Sequence, residues 1–321
     1  MTEQREQTQS AVLAAPWGAR RERAEALRER YPFAREPLAL YRALLDVQEP
    51  AWSAARRDAP DGADAAAYAA ERVLPRVLEV TAAAGPGTLA NLVRGQFAGM
   101  PAPARGEMIR RWLDGEDHSA VERYLARASA GPVLEALGAR AGDACGGRHA
   151  GRERAGVAEE PSGDRRCPTC GGLPQLSYVA VPAEALVAGP RVLVCSRCAA
   201  GWAYPRLMCA SCGEQDPSKL TVLAEVGVEE RSLSGSTVRG LRGRIEAPPA
   251  ETPRSRLRGT SPRFPHVRID ACTACSRYLL SIDLGRDPRA VPVVDELAAI
   301  PLDLHAVDRG FTKIVPNLMG A

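Results

Sequence analysis

Cysteine is the residue type that offers the most chemistry in this sequence. Eight of the nine cysteines fall into four C-x-x-C pairs, and none of the pairs includes a histidine. A tight turn with two intervening residues points both sulfurs at one ion, and two such turns supply four thiolates in a tetrahedron. The pattern therefore predicts two metal sites built from sulfur alone. The predicted ligands are Cys167, Cys170, Cys195, Cys198, Cys209, Cys212, Cys272 and Cys275.

The spacing along the chain favours one way of joining these pairs. Between Cys170 and Cys195 lie 24 residues, which is enough for two strands and a turn, as in a zinc ribbon. Only ten residues separate Cys198 from Cys209, a length that suits a bridge between two ribbons. We expect the first pair to join the second and the third to join the fourth. A cross-braced arrangement, first with third and second with fourth, remains open.

The ions are expected to hold the fold together, because a small ribbon cannot bury enough core without such a staple. Four thiolates suit zinc or a single iron ion, and the spacing does not choose between them. Glycine follows the second cysteine at Gly171 and Gly213, where a positive φ would let backbone N–H groups reach the sulfurs. Cys145, the odd cysteine, is interpreted as an incidental free thiol.

Around the cysteines, the sequence predicts an α+β chain, with an all-α N-terminal domain followed by two small β modules that bind metal. We expect a disordered leader over 1–18, the helical domain over 19–140 and a linker over 141–166. The first module spans 167–208. The second spans 209–321 and contains a basic insertion at 229–265 and a C-terminal tail.

Helical periodicity is the main signal in the first half of the chain. A helix is expected to start at Pro37, in a first turn where its missing N–H costs nothing, and to close or bend at Pro50. A kink is expected at Pro75. The predicted helices lie near 20–30, 36–50, 64–84, 89–97, 107–113 and 119–137. The predicted strands are 176–179, 192–194, 220–223 and 267–269, with a short helical turn at 295–300.

The charge and the apolar runs of the sequence indicate which classes of function to expect. With 42 basic and 39 acidic residues the net charge is +3, which does not indicate a nucleic-acid binder. No apolar run reaches the roughly 18 residues that a membrane span needs, and no signal peptide is evident. We therefore expect a cytoplasmic protein, in a reducing compartment that disfavours disulfides. The insertion is expected to be a solvated loop, and binding of an acidic partner or nucleic acid is the alternative.

Other polar residues give no catalytic pattern, so no enzyme activity is expected. His118, His149 and His305 have no Ser or Cys neighbour at a spacing suited to nucleophilic catalysis. His266 is interpreted as a surface histidine, with a role beside the metal as the alternative.

Carboxylates near the C-terminus are expected to form a solvated face or a partner contact; they are Asp295, Glu296 and Asp303. Trp202 and Tyr204 lie between the predicted modules and are expected to pack them together. Anchoring a partner is the alternative for these aromatic residues, since such residues are enriched at binding hot spots.

The order of the motifs resembles the formate dehydrogenase accessory protein family (FdhE). The resemblance is carried by CPTCGG at 167–172, RLMCASCG at 206–213 and DACTACSRYL at 270–279. It continues through VDELA at 294–298 and LDL at 302–304. The insertion is longer than this family usually carries, and Gly201 stands where an acidic residue is more frequent.

The resemblance implies a helical N-terminal domain and two rubredoxin-like metal modules with the eight paired cysteines as ligands. It also implies iron binding, a cytoplasmic location and association with the catalytic subunit of a formate dehydrogenase. The expected function is that of an accessory or assembly factor that this dehydrogenase needs for activity.

Two other functions compete with this interpretation. A nucleic-acid-binding zinc-ribbon protein would use the basic insertion, although the ribbons lack an evident Arg/Lys stripe. A thiol oxidoreductase would need a βαβ context around one reactive pair, whereas short strands flank all four pairs here.

Overall fold

The N-terminal half of the protein is built from helices. In the computed structural model, residues 17–58, 60, 65–145, 163–181, 189–225 and 262–320 are described. The predicted leader, most of the predicted linker and most of the basic insertion lie outside these residues. The helices of this half are α1 Trp17–Arg30, α2 Arg35–Asp58, α3 Ala65–Tyr68, α4 Leu74–Ala84, α5 Gly87–Leu92, α6 Ala102–Asp114 and α7 Ala120–Cys145.

Two helix boundaries differ from the expected ones. Pro50 lies inside α2, which continues to Asp58 instead of closing. Helix α7 runs to Cys145, five residues into the expected linker. Pro75 lies in the first turn of α4, directly after the π-helical turn Ala69–Val73 that divides the segment as the predicted kink would.

Alanine and leucine fill the core between these helices, as the scarcity of aromatic residues requires. The buried cluster includes Leu44, Val77 and Leu125 together with many alanines. Its one buried hydroxyl pair is Thr81 with Tyr124, whose oxygens lie 2.7 Å apart. Burial raises the pKa of Tyr124 to about 12, so this pair stays neutral and hydrogen-bonded at physiological pH.

The C-terminal half contains one mixed β-sheet. The strand order is β3-β2-β1-β6-β5-β4, and β7 pairs with β6. The strands are β1 Pro174–Val179, β2 Arg191–Cys195, β3 Gly201–Ala203, β4 Leu220–Leu223, β5 Val267–Cys272, β6 Arg277–Asp283 and β7 Thr312–Lys313.

Antiparallel pairing forms each of the two ribbons, and a parallel pair joins them. Strands β1, β2 and β3 pair antiparallel, as do β4, β5 and β6. Strand β1 then pairs in parallel with β6, with Leu176 opposite Leu280. The α+β class is confirmed, and the two ribbons prove to be halves of a single sheet.

Two short helices at the C-terminal end cover this sheet. They are α8 Pro292–Ala298 and α9 Ile300–Asp308. A single apolar core contains residues of α1, α2, β1, β5, β6 and both of these helices. Tyr31 and Phe264 stack within it, with ring centroids 4.7 Å apart. The N-terminal helices and the sheet therefore share a core.

The prediction that three acidic residues are solvated or contact a partner is wrong, because Asp295, Glu296 and Asp303 are all at most 3% exposed. Lys313 Nζ lies 2.8 Å from Glu296 Oε1 and 3.0 Å from Asp303 Oδ1. Tyr278 donates its hydroxyl to Asp303 Oδ1 at 2.9 Å. Burial is tolerated because a buried ammonium and hydroxyl satisfy these oxygens.

The interpretation of His266 as a surface residue is also wrong. Its ring is buried, and Nε2 lies 2.8 Å from Asp295 Oδ1. The same carboxylate accepts hydrogen bonds from the guanidinium of Arg23 on α1, including one of 2.9 Å to Oδ2. This buried group joins the first described helix to α8.

Candidate metal centres

The first cysteine cluster lies where the turn before β1 meets the end of β2. Cys167 Sγ lies 3.6 Å from Cys198 Sγ, and Cys170 Sγ lies 3.4 Å from Cys195 Sγ. All four sulfurs lie within 4.8 Å of one another. A tetrahedron with metal–sulfur bonds of about 2.3 Å has edges of about 3.8 Å, so the cluster matches the size of such a site.

The second cluster has the same form and lies between the turn after β3 and the β5–β6 hairpin. Cys209 Sγ and Cys275 Sγ are 3.8 Å apart, and so are Cys212 Sγ and Cys272 Sγ. These four sulfurs also lie within 4.8 Å of one another. The pairs thus meet first with second and third with fourth, and the cross-braced arrangement does not occur.

The four C-x-x-C turns share one feature of their backbone conformation. The residue after the second cysteine has a positive φ in each turn: 69° at Gly171, 55° at Ala199, 81° at Gly213 and 53° at Ser276. The sequence marked only the two glycines, because alanine and serine rarely adopt this conformation and give no signal. In three of the turns, a backbone N–H points at the sulfur of the first cysteine at 3.4 Å; the donors are Thr169, Arg197 and Ser211.

Close contact between the sulfurs of the first cluster shifts the pKa of its thiols. The pKa of Cys167 is lowered because the thiols of Cys170, Cys195 and Cys198 hydrogen-bond to its sulfur. In the second cluster, burial raises the pKa of Cys209 to about 12. A cation at the centre of either cluster would stabilise all four thiolates, as four-sulfur sites require. The residues present fit zinc and iron alike.

Aromatic packing between the clusters agrees with the expected role of Trp202 and Tyr204. Both are buried in a core with Cys167, Cys195 and Cys198. The Tyr204 hydroxyl donates to the Cys209 carbonyl at 2.9 Å, and the Trp202 indole donates to the Asp164 carbonyl at 2.8 Å. Tyr204 therefore connects the core of the first cluster to the backbone of the second.

Gly172 and Gly138 let neighbouring parts of the chain lie close to the first cluster, because glycine has no Cβ. A Cβ added to Gly172 would lie 2.8 Å from Cys195 Sγ and 3.1 Å from Cδ of Arg197. Gly138 on α7 lies against the same turns, where an added Cβ would be 3.4 Å from Thr169 Cγ2 and 3.9 Å from Cys198 Cβ. Helix α7 thus covers the first cluster.

We expect Gly172→Ala to lower the free energy of unfolding by about 1–3 kcal/mol, because the new methyl group must displace a sulfur. Chemical denaturation monitored by circular dichroism measures this change. Gly18→Ala is the control, since nothing lies within 4 Å of a Cβ there and alanine favours the helix. Equal stability of the two variants would show that the Cys195 sulfur moves freely.

The other sequence-predicted candidates do not assemble into a site. Within the residues that the structure describes, the two cysteine clusters are the only groups of His, Cys, Asp and Glu suited to a metal ion. His149 lies outside those residues, as does the side chain of Cys145. His118 contacts the carbonyls of Glu116 and Met108, which is a structural role at the end of α6.

Sequence comparisons find similarity between this chain and proteins named FdhE. A family model described as "FdhE, C-terminal domain" matches residues 256–319. "Protein FdhE homolog" of Aquifex aeolicus is 29% identical over 154 residues, covering 48% of this chain and 41% of that protein. The homologue of the same name in Pseudomonas putida is 29% identical over 161 residues, covering 50% of this chain and 40% of the relative. The matches thus span about two-fifths of these relatives.

A solved structure supports the same fold over nearly the whole chain. The crystal structure of the FdhE protein from Pseudomonas aeruginosa matches with a TM-score of 0.54 and 20% identity. The match covers 95% of each chain.

Helices joined to a sheet that carries two four-cysteine clusters define the class: an α+β protein with two candidate tetrathiolate metal centres. Over the matched residues the chain is similar in sequence to FdhE proteins, and its fold is similar to that of the solved FdhE structure. In the described part of the chain, no helix combines the length and the apolar character needed to cross a bilayer.

Proposed function

We propose that this protein is a cytoplasmic accessory factor that a formate dehydrogenase needs for its activity, and that it has no catalytic reaction of its own. The observation that carries the proposal is the pair of four-sulfur clusters, and the match of residues 256–319 to the FdhE C-terminal domain supports it. The catalytic subunit of the dehydrogenase is the proposed partner, as the resemblance implies.

In this proposal the eight cysteines are the ligands of two ions. Bound iron or zinc would supply four strong bonds in each cluster and fasten its two turns to each other. The chain's own residues supply the rest: backbone N–H groups orient the sulfurs, and Tyr204 sets one cluster against the other.

Metal analysis of protein purified without oxygen tests the first half of this proposal. We expect two equivalents of metal per chain. Iron in four-sulfur sites would absorb visible light in its ferric form, whereas protein loaded with zinc would be colourless. Fewer than one equivalent, with all eight thiols reactive toward alkylating agents, would contradict the proposal that these cysteines are ligands.

Deletion of the gene tests the second half. Formate oxidation should fall sharply in the deletion strain under conditions where the dehydrogenase is expressed, and the wild-type gene should restore it. A tagged copy of the protein should also retain the catalytic subunit on purification. Normal formate oxidation in the deletion strain would refute the proposed function. Steeply salt-dependent RNA or DNA binding would instead favour the nucleic-acid-binding alternative.

A further inference from the structure

The two clusters differ in how far they are exposed to solvent. In the first, Cys167, Cys195 and Cys198 are buried, and Cys170 is half-buried. In the second, Cys209 and Cys272 are buried, Cys275 is half-buried and Cys212 is exposed. Solvent and other molecules can therefore reach the second cluster directly, on the side of Cys212.

The clusters also differ in what packs over them. The first lies in an apolar core with Leu193, Trp202 and Leu279, and α7 approaches its turns through Gly138. Cys209 and Cys272 are buried, but no cysteine of the second cluster belongs to an apolar core among the described residues, whereas Ala210 in its first turn does. Opening the second cluster on the side of Cys212 thus exposes less apolar surface than opening the first cluster, and local opening is cheapest where few such contacts are lost.

Positive charge lies beside the exposed cluster. The Arg165 guanidinium donates to the Ser211 carbonyl at 3.0 Å, within the turn that holds Cys209 and Cys212. Lys219 also lies near the cluster, but its ammonium is paired with Glu214, Nζ to Oε2 at 3.1 Å. The charge that favours the approach of an anionic donor such as a thiolate is therefore that of Arg165.

We propose that the cluster of Cys209, Cys212, Cys272 and Cys275 is an exchange site, which releases its ion to thiolate-bearing acceptors while the first cluster keeps its ion. This inference rests on the proposed binding of two ions. Cys212 is displaced first, as an incoming thiolate forms its bond to the ion while the bond to Cys212 Sγ breaks. The freed Cys212 thiolate takes a proton from solvent, and no oxidant or reductant is consumed.

Competition with a chromophoric chelator tests the proposal on the full-length protein loaded with two equivalents of zinc. With 4-(2-pyridylazo)resorcinol as the acceptor, we expect one equivalent to leave at least about tenfold faster than the other. Iodoacetamide added after the first equivalent has left should alkylate the second cluster, as peptide mass spectrometry would show. Release of both equivalents at one rate, or first alkylation at Cys195 and Cys198, would overturn the proposal.

Matched serine variants identify the site that produces the fast phase. Cys212 and Cys170 each occupy the second position of a C-x-x-C turn. We expect Cys212→Ser to abolish the fast phase and Cys170→Ser to preserve it. A fast phase that survives Cys212→Ser would refute the assignment. Because the mapping by alkylation uses wild-type protein, the test holds even where a variant fails to fold. A starting content below two equivalents in the wild-type protein would instead count against the proposed metal binding itself.

Discussion

Replacing Cys198 by serine is expected to remove one of the two ions and to lower the free energy of unfolding by at least about 3 kcal/mol, a share of the roughly 10–16 kcal/mol that structural zinc binding supplies. Cys198 is 3% exposed and lies in the core with Leu193, Trp202 and Tyr204. The buried thiols of Cys167 and Cys195 and the half-buried thiol of Cys170 would lose their ion, and the packing around them would loosen. Thermal unfolding and metal analysis of the same preparation measure both effects.

Cys145→Ser is the matched control for this prediction. Cys145 is the last residue of α7 and belongs to neither C-x-x-C cluster. We expect this variant to keep both ions and to change the free energy of unfolding by no more than about 0.5 kcal/mol. A Cys198→Ser protein with two ions and wild-type stability would show that the first cluster does not depend on four sulfurs.

Replacing Lys313 by methionine is the second change with a large expected effect, about 3–5 kcal/mol of lost stability, because it leaves buried carboxylates without their cation. Lys313 is buried and contacts both Glu296 and Asp303. Glu296 also accepts from Gln175, which in turn accepts from Arg127 on α7. Loss of the ammonium would therefore strain the contact between helices and sheet. Urea denaturation followed by circular dichroism measures the loss.

The stability lost in the Lys313→Met variant should depend on pH. Burial raises the pKa of Glu296 above its ordinary value of 4.5, and removing the ammonium would raise it further. A carboxyl with a raised pKa in the folded state favours folding at low pH, and this advantage disappears as pH rises through the folded pKa. The variant should therefore be less impaired near pH 5 than near pH 8.

The only other lysine of the chain provides the control. Lys219 is exposed and its Nζ lies 3.1 Å from Glu214 Oε2. Because such surface pairs contribute little, we expect Lys219→Met to cost less than about 1 kcal/mol at either pH. Equal losses in the two lysine variants would show that Glu296 and Asp303 do not need a buried cation.

The cysteine clusters could be predicted because their requirements are local. A C-x-x-C turn determines where its two sulfurs point, and the intervals between turns favoured one pairing over the cross-braced arrangement. Helices of the N-terminal half were predictable for a similar reason, since periodicity and proline positions act within a few residues. Their ends were the weakest part, as Pro50 and the extension of α7 to Cys145 show.

Some of the buried charges could not be predicted because their partners are distant in sequence, and the pairing of Lys313 with Asp303, ten residues apart, follows no local pattern. Asp295 pairs with Arg23, which lies 272 residues away, and Glu296 pairs with Gln175 at a separation of 121 residues. A run such as VDEL therefore looks like a polar surface until the fold supplies the cations. Strand β6 was not predicted from the sequence either. It is buried along nearly its whole length, so it lacks the alternation that marks a strand with one solvated face.

The parallel pairing of β1 with β6 has a consequence for the order in which a newly synthesised chain can fold. All four sulfurs of the first cluster have been synthesised once residue 198 is added, but the neighbour of β1 is complete only at Asp283. Until then, β1 presents an unpaired edge, the kind of surface that promotes aggregation of nascent chains. An early-binding ion would hold the first ribbon in register during that interval, and β6 would then join the two ribbons in the middle of the sheet.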